Sequence, residues 1–230
     1  MLYVGMGQGE VALTPLQMAN AMCIIANKGY YYKPHFVRAI NNNPKAPKLQ
    51  PYLQKHVVTH ISEDIYDIIQ GGMQDVVEHG TGTVAKIEGI NICAKTGTVE
   101  NKAVVNGQAM KMKDHSVFVA FAPRENPKIA IAVVVENAGF GASWAGPIAS
   151  LMMEKYLRDS VASGRKALED KMFNANLITS YTYLIDSYQR HKDLMRSEIK
   201  AAEKRYVDSV QRAQDSVMFF TWYNRNYFKK

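Results

Sequence analysis

The 230-residue chain has little of what staples or anchors a protein. It carries two cysteines, Cys23 and Cys93, each in apolar surroundings. That excludes a disulfide scaffold and reads as two buried thiols, with a single bridge as the alternative. No apolar run approaches the roughly 18 residues of a membrane span. No leader pattern opens the chain, because Met1-Leu2-Tyr3-Val4 runs straight into Gly5-Met6-Gly7-Gln8-Gly9, as in the middle of a domain. Those glycines lack the spacing of a phosphate loop or a dinucleotide fingerprint, so a phosphate cradle is excluded. His56 and His60 have the i,i+4 spacing of a zinc helix but flank Val57-Val58-Thr59, which favours a strand. Four residues of strand span roughly 13 Å, too far to share one ion, so no metal and no cofactor is expected.

What is present is an ordinary globular composition, 47% hydrophobic and 21% charged, enough for a sizeable core. The net charge of +7 is uneven: residues 1–160 hold 15 Lys/Arg against 13 Asp/Glu, and residues 161–230 hold 13 against 8. The basic excess therefore belongs to the C-terminal part and reads as a solvated helix; no nucleic-acid partner is expected.

The elements follow from local signals. Thr14-Pro15-Leu16-Gln17 predicts a helix with a capping box, an apolar face of Leu16, Ala19, Cys23 and Ala26, and Gly29 at its C′ position. Residues 30–40 and 55–59 read as strands around the polar loop Asn41 to Pro47. Ser62 predicts the N-cap of a second helix whose buried stripe is Ile65, Ile68, Ile69, Met73, Val76 and Val77, ended by Gly80-Thr81-Gly82-Thr83. Residues 99–114 read as a loop. Val117 to Ala122 and Lys128 to Glu136 are apolar at odd and even positions alike, which predicts an antiparallel pair covered on both faces. After Gly139 and Gly141, a helix starting near Ser143 to Pro147 is expected to bury Ile148, Leu151, Met152 and Tyr156. The fold class is therefore α+β: an antiparallel sheet flanked by helices on both faces, followed by a long helical tail.

One stretch concentrates polar chemistry. In Asn91-Ile92-Cys93-Ala94-Lys95-Thr96-Gly97-Thr98, an apolar lead-in delivers a cation, two hydroxyls and a glycine to a strand end. Such a group can grip a carboxylate or an oxyanion, and Gly97 lets another backbone approach closely.

Lys95-Thr96-Gly97-Thr98, followed by Asp114-His115-Ser116-Val117-Phe118-Val119-Ala120-Phe121-Ala122-Pro123, resembles the third motif of penicillin-binding transpeptidases and the strand after it. Gly7-Gln8-Gly9 with Thr14-Pro15-Leu16-Gln17 resembles the segment and helix leading toward that motif. The likeness covers residues 5–158 and is closest to class B enzymes of the penicillin-binding protein 2 type, from the cell-elongation machinery. The family's motifs are Ser-x-x-Lys, Ser-x-Asn and Lys-Thr-Gly. No Ser-x-x-Lys lies upstream of Gly5 and the middle motif is missing, so the expectation is the C-terminal part of a transpeptidase domain, residues 1–158, beginning after the nucleophile.

The resemblance implies the rest. The substrate is the D-Ala-D-Ala end of a peptidoglycan stem peptide, attacked by a serine to form an acyl-enzyme that β-lactams mimic. Lys95 is implied to set the positive field, Thr96 and Thr98 to hold the terminal carboxylate beside Gly97, and the Thr98 N–H to supply half of the oxyanion hole. The implied location is the periplasmic face of the inner membrane, with elongation proteins as partners of the intact protein. Because family sheets have five strands and the two earliest are missing, the strand from Lys128 to Glu136 is expected to have an open edge, and the chain alone low stability. His115 is expected to be structural, and Trp144 a packing residue.

Residues 159–230 lie outside the shared motifs. Leu177, Tyr181, Leu184, Tyr188, Met195, Ile199, Ala202, Tyr206, Val210, Ala213 and Val217 recur at steps of three and four, broken only by His191, and predict a long amphipathic helix of roughly 60 Å. Phe219-Phe220-Thr221-Trp222-Tyr223, with Arg225, Lys229 and Lys230, either docks on a membrane surface or a partner protein or packs its aromatics back on the domain. The rival reading of the whole chain is a non-catalytic binding or scaffolding piece that docks through this tail. A serine β-lactamase relative is the third and needs the same absent serine.

Overall fold

The structure, a computed structural model, describes residues 12–58, 60–105, 108–177 and 182–227. The Gly5 to Gly9 loop, Thr59, Tyr181 and the terminal Lys229-Lys230 lie outside the described residues. The chain divides into two compact units: Met1–Lys102 with Lys111–Leu177, and Ala103–Met110 with Ile178–Lys230.

The first unit is a three-stranded antiparallel sheet, β3 (Cys93–Val99), β6 (His115–Ala122) and β7 (Ile129–Val135), in the order β3-β6-β7. Before it come α1 (Pro15–Ala26), β1 (Tyr30–Tyr31), α2 (Gln50–Leu53), β2 (His56–Val57) and α3 (Glu63–Glu78); after it come α4 (Ala145–Arg158) and α5 (Lys166–Phe173). Alternation along the strands divides the core in two. Cys93 and Phe121 pack with Met22, Ala26 and Met73 on the α1/α3 face. Ala94, Phe118 and Ala120 pack with Ala145, Ala149 and Met153 of α4 on the other. Helices on both faces of an antiparallel sheet are the expected class, and among the described residues β3 and β7 each have one unpaired edge.

Local chemistry sets the helix ends. The Thr14–Gln17 capping box forms as expected: Gln17 N–H donates to the Thr14 hydroxyl (3.3 Å) and Thr14 N–H to the Gln17 side chain (2.8 Å). Beyond the Asn27 cap, Lys28 and Gly29 are both left-handed. At Gly29 (φ 104°) a Cβ would also press on the Tyr66 ring at 3.1 Å. Ser62 is the N-cap of α3, and its hydroxyl serves Asp64, whose carboxyl it holds below the usual range.

Several expectations are corrected. In α1, Leu16 is exposed and Met22 and Ala26 are buried, because the helix meets the sheet with its later turns. In α3 the inward stripe is Tyr66, Gln70, Met73 and Val77, while Ile65, Ile68 and Ile69 face outward. The Gln70 amide reaches the Ile25 carbonyl oxygen (2.7 Å) and thereby fixes which face turns in. In α4, Met152 and Tyr156 are exposed; small Ala145, Gly146 and Ala149 face the sheet, where a Cβ on Gly146 would lie 3.4 Å from the Phe118 ring. The strands expected over 30–40 and 55–59 shrink to a two-residue pair, Tyr30↔Val57 and Tyr31↔His56, and the His56 ring stacks on Tyr31. Residues 99–114 are not a plain loop but carry an antiparallel hairpin, β4 (Lys102–Val105) and β5 (Gln108–Lys111). In the second unit the tail helix is α6 (Thr182–Tyr227); Leu177 precedes it.

Glu154 of α4 is buried, with 1% of its side chain exposed, and is satisfied by Arg165 Nη1 (2.6 Å), Arg158 Nη1 (3.4 Å) and the Ala162 N–H (3.4 Å). Arg165 also donates to Ser150 Oγ at 2.6 Å. Both cysteines are free, and Cys93 donates to the Gln70 carbonyl oxygen at 3.3 Å. Burial pushes the Cys93 thiol up to about 12.

Two outcomes follow from this packing. Arg165→Ala strands the buried Glu154 carboxylate and is expected to cost about 3 kcal/mol in urea unfolding, part of which returns when Glu154→Leu is added. A loss under about 0.5 kcal/mol would refute the latch. At pH 8 the native Cys93 thiol should alkylate with iodoacetamide on the order of a thousandfold more slowly than in the unfolded chain, read by mass spectrometry of the two cysteine peptides.

Candidate active site

The Lys95 stretch occupies the outer strand of the sheet, as its apolar lead-in requires. Ile92, Cys93 and Ala94 are fully buried, Lys95 is exposed, and Thr96, Gly97 and Thr98 are half-buried. The register sets Lys95 against Val119, Thr96 against Phe118, Gly97 against Val117 and Thr98 against Ser116. Thr96 and Thr98 therefore share the α4 face, and Lys95 belongs to the α1/α3 face. The lysine and the two hydroxyls therefore leave β3 on opposite faces, and among the described residues the strand's other edge is unpaired.

Each hydroxyl is held. Thr96 Oγ1 lies 2.8 Å from Thr81 Oγ1, in the turn after α3. Thr98 Oγ1 accepts the Gly141 N–H at 3.2 Å, which leaves its own proton to donate. The Lys95 ammonium donates to the Thr96 carbonyl oxygen at 2.6 Å. Behind Thr98, buried Ser116 donates to the Gly141 carbonyl oxygen (2.9 Å) and accepts the Ala145 N–H (3.1 Å). A second backbone does approach Gly97, but the glycine this demands is its neighbour. A Cβ on Gly97 would make only ordinary contact with Val117, whereas one on Gly141 would overlap the Gly97 carbonyl oxygen and come within 2.8 Å of that of Val117.

Below this wall, His115 Nδ1 accepts the Asn137 N–H at 3.0 Å, the Asp114 carbonyl oxygen accepts the Gly139 N–H at 2.8 Å, and Asn101 bridges to Lys113 and Asn137. His115 thus braces the loop that carries Gly141, in the structural role expected of it. Trp144 is half-buried just ahead of α4.

Thr81, Ser116 and Gly141 are site residues that the sequence reading missed. The first was seen only as a helix end and the last only as a glycine break. The Ser-x-x-Lys spacing does occur downstream, at Ser163 to Lys166 and at Ser197 to Lys200. Neither is a nucleophile pair: Lys166 is engaged by Glu169 (2.7 Å) and Asp170 (3.4 Å), which raise its pKa, and Ser197 donates to the Leu194 carbonyl oxygen within α6.

The family profile described as "Penicillin binding protein transpeptidase domain" matches residues 2–154. The peptidoglycan D,D-transpeptidase MrdA of Haemophilus influenzae is 33% identical over 173 residues, 71% of this chain and 26% of that protein. The peptidoglycan D,D-transpeptidase PbpA of Mycolicibacterium smegmatis is 31% identical over 165 residues, 66% of this chain and 31% of that protein. Among solved structures, Pseudomonas aeruginosa PBP2 in complex with WCK 5153 matches with TM-score 0.56 at 30% identity, covering 71% of this chain and 34% of that one. The imipenem acyl-enzyme of penicillin-binding protein A from M. tuberculosis matches with TM-score 0.53 at 30% identity, over 68% of this chain and 33% of that one. The chain spans about a quarter to a third of the length of these relatives. With most of the sequence matched by the family profile, the chain belongs to the penicillin-binding protein transpeptidase family, of the penicillin-binding protein 2 type.

Proposed function

We propose that this chain supplies the β3 wall of a serine D,D-transpeptidase site that cross-links peptidoglycan stem peptides, and that it is inactive by itself. The observation that carries this is the pair of hydroxyls, Thr96 and Thr98, on one face of a strand whose outer edge is unpaired among the described residues, with Lys95 on the strand's other face. The terminal carboxylate of a D-Ala-D-Ala donor accepts from the hydroxyl protons of Thr96 and Thr98, and Gly97 keeps the edge flat against it. Lys95 supplies the positive field and reaches toward the serine of the middle motif. The Thr98 N–H forms half of an oxyanion hole, a donor worth about 3 kcal/mol of barrier. The other half and the nucleophile belong to a Ser-x-x-Lys segment that this sequence does not contain upstream of the site.

Residues 1–158 form the transpeptidase portion and residues 159–230 an extension. In the intact protein the site faces the periplasm, takes β-lactams as substrate mimics, and works with elongation proteins. The names of the relatives support the chemistry: MrdA is a peptidoglycan D,D-transpeptidase, and penicillin-binding protein A forms an imipenem acyl-enzyme.

A fluorescent penicillin tests the assignment. The chain alone is expected to take no covalent label, and stable native-state labelling would overturn the reading. Adding an upstream half that bears Ser-x-x-Lys and Ser-x-Asn should place the label on that half and raise the melting temperature of the mixture. Thr98→Ala in this chain should then slow acylation roughly 10²-fold, because the carboxylate loses its donor. Gly141→Ala should slow it as well, since the added Cβ displaces the support of Thr98; unchanged acylation in both variants would refute the role given to this edge.

A further inference from the structure

We propose that α6 is a self-association helix that pairs antiparallel with α6 of a second copy of this chain, about a twofold axis between Lys200 and Ala201. Every residue from Gln189 to Asp215 is exposed, including Leu194, Met195, Ile199, Tyr206, Val207 and Val210. A helix of 46 residues, about 69 Å long, draws most of its stability from packing an apolar face, and from Gln189 to Asp215 that face is exposed. The stripe has an eleven-residue period: His191 recurs as Ala202 and Ala213, Met195 as Tyr206, and Ile199 as Val210. This spacing, about 3.67 residues per turn, stays close to that of a straight helix and keeps one seam aligned along the axis. A regular seam fits a second regular helix better than an irregular surface.

Charge selects the occupant and its direction. Arg196 and Glu203 flank one side of the seam, and Glu198 and Arg205 the other. In an antiparallel pair each flank meets its own counterpart. A twofold between Lys200 and Ala201 sets Ile199 opposite Ala202, Met195 opposite Tyr206 and His191 opposite Val210. The same register brings Arg196 to the second copy's Glu203 and Glu198 to its Arg205, so both flanks pair opposite signs. An anionic membrane surface fits poorly: Asp186 to Asp215 holds seven basic and six acidic residues, with acids on both flanks.

The full chain is tested by sedimentation velocity across a dilution series. A reversible dimer is expected, at twice the 25.8 kDa of one chain. Ile199→Asp should give a monomer whose first unit melts unchanged. Arg196→Glu and Glu203→Arg should each raise the dimer dissociation constant roughly tenfold, and the two together in one chain should restore it. The proposal falls if the chain is a monomer, if it binds phosphatidylglycerol vesicles as a monomer, if the dimer survives Ile199→Asp, or if the double charge swap fails to recover. This assay needs no penicillin, so it stands or falls apart from the transpeptidase reading.

Discussion

Because β3 is hydrogen-bonded to β6 alone among the described residues, alternation along seven residues decides what the site presents. One face of the strand is committed to the α1/α3 cluster through Cys93 and the other to the α4 cluster through Ala94. Beyond Lys95 the packing thins, and the side chains that would have continued those clusters are a cation and two hydroxyls. The edge itself carries the unpaired backbone groups. The unpaired backbone groups and the polar side chains of β3 thus lie along one strand, the geometry that an added strand uses.

The sequence made the strands and their two covering layers legible because each signal was strong locally. Thr14 and Gln17 can cap only one way, and Val117 to Ala122 is apolar on both faces and so needs two covering layers. Where two apolar stripes competed on one helix, hydrophobicity could not choose. α3 offered Ile65, Ile68 and Ile69 against Tyr66, Gln70, Met73 and Val77; the second won because Gln70 finds the Ile25 carbonyl oxygen at the end of α1, a long-range partner invisible in the sequence. The first two turns of α4 place small residues inward, since close approach to Phe118 favours Ala145, Gly146 and Ala149, while Leu151 and Met153 are buried farther along. The hairpin after β3 was overlooked although Val104-Val105-Asn106-Gly107 carries a hairpin signal. Thr81 was out of reach, since its pairing with Thr96 depends on where a turn fifteen residues earlier comes to rest.

The outward apolar residues bear on how the first unit behaves alone. Ile68 is 73% exposed and Phe140 75%, and β7, like β3, has a free edge among the described residues. Isolated exposed apolar side chains are ordinary on a folded protein, but open strand edges beside them are association surfaces. This is the physical content of the low stability expected from the five-strand comparison.

The position of Thr98 is settled some distance from β3. Its hydroxyl accepts the Gly141 N–H, the Gly141 carbonyl oxygen accepts from Ser116, and Ser116 accepts the Ala145 N–H at the start of α4. That relay joins strand, loop and helix through groups that are each buried or half-buried, so none can move without leaving a polar atom unsatisfied. The far end of α4 is fixed in turn by Glu154, whose carboxylate would be costly to bury without Arg165 and Arg158. A loop with small residues at four of its five positions, Ala138-Gly139-Phe140-Gly141-Ala142, would otherwise be a poor support for a hydroxyl. Anchored at Asp114, Ser116 and Thr98, it has little freedom left, and the Gly141 N–H holds the Thr98 hydroxyl oxygen in place.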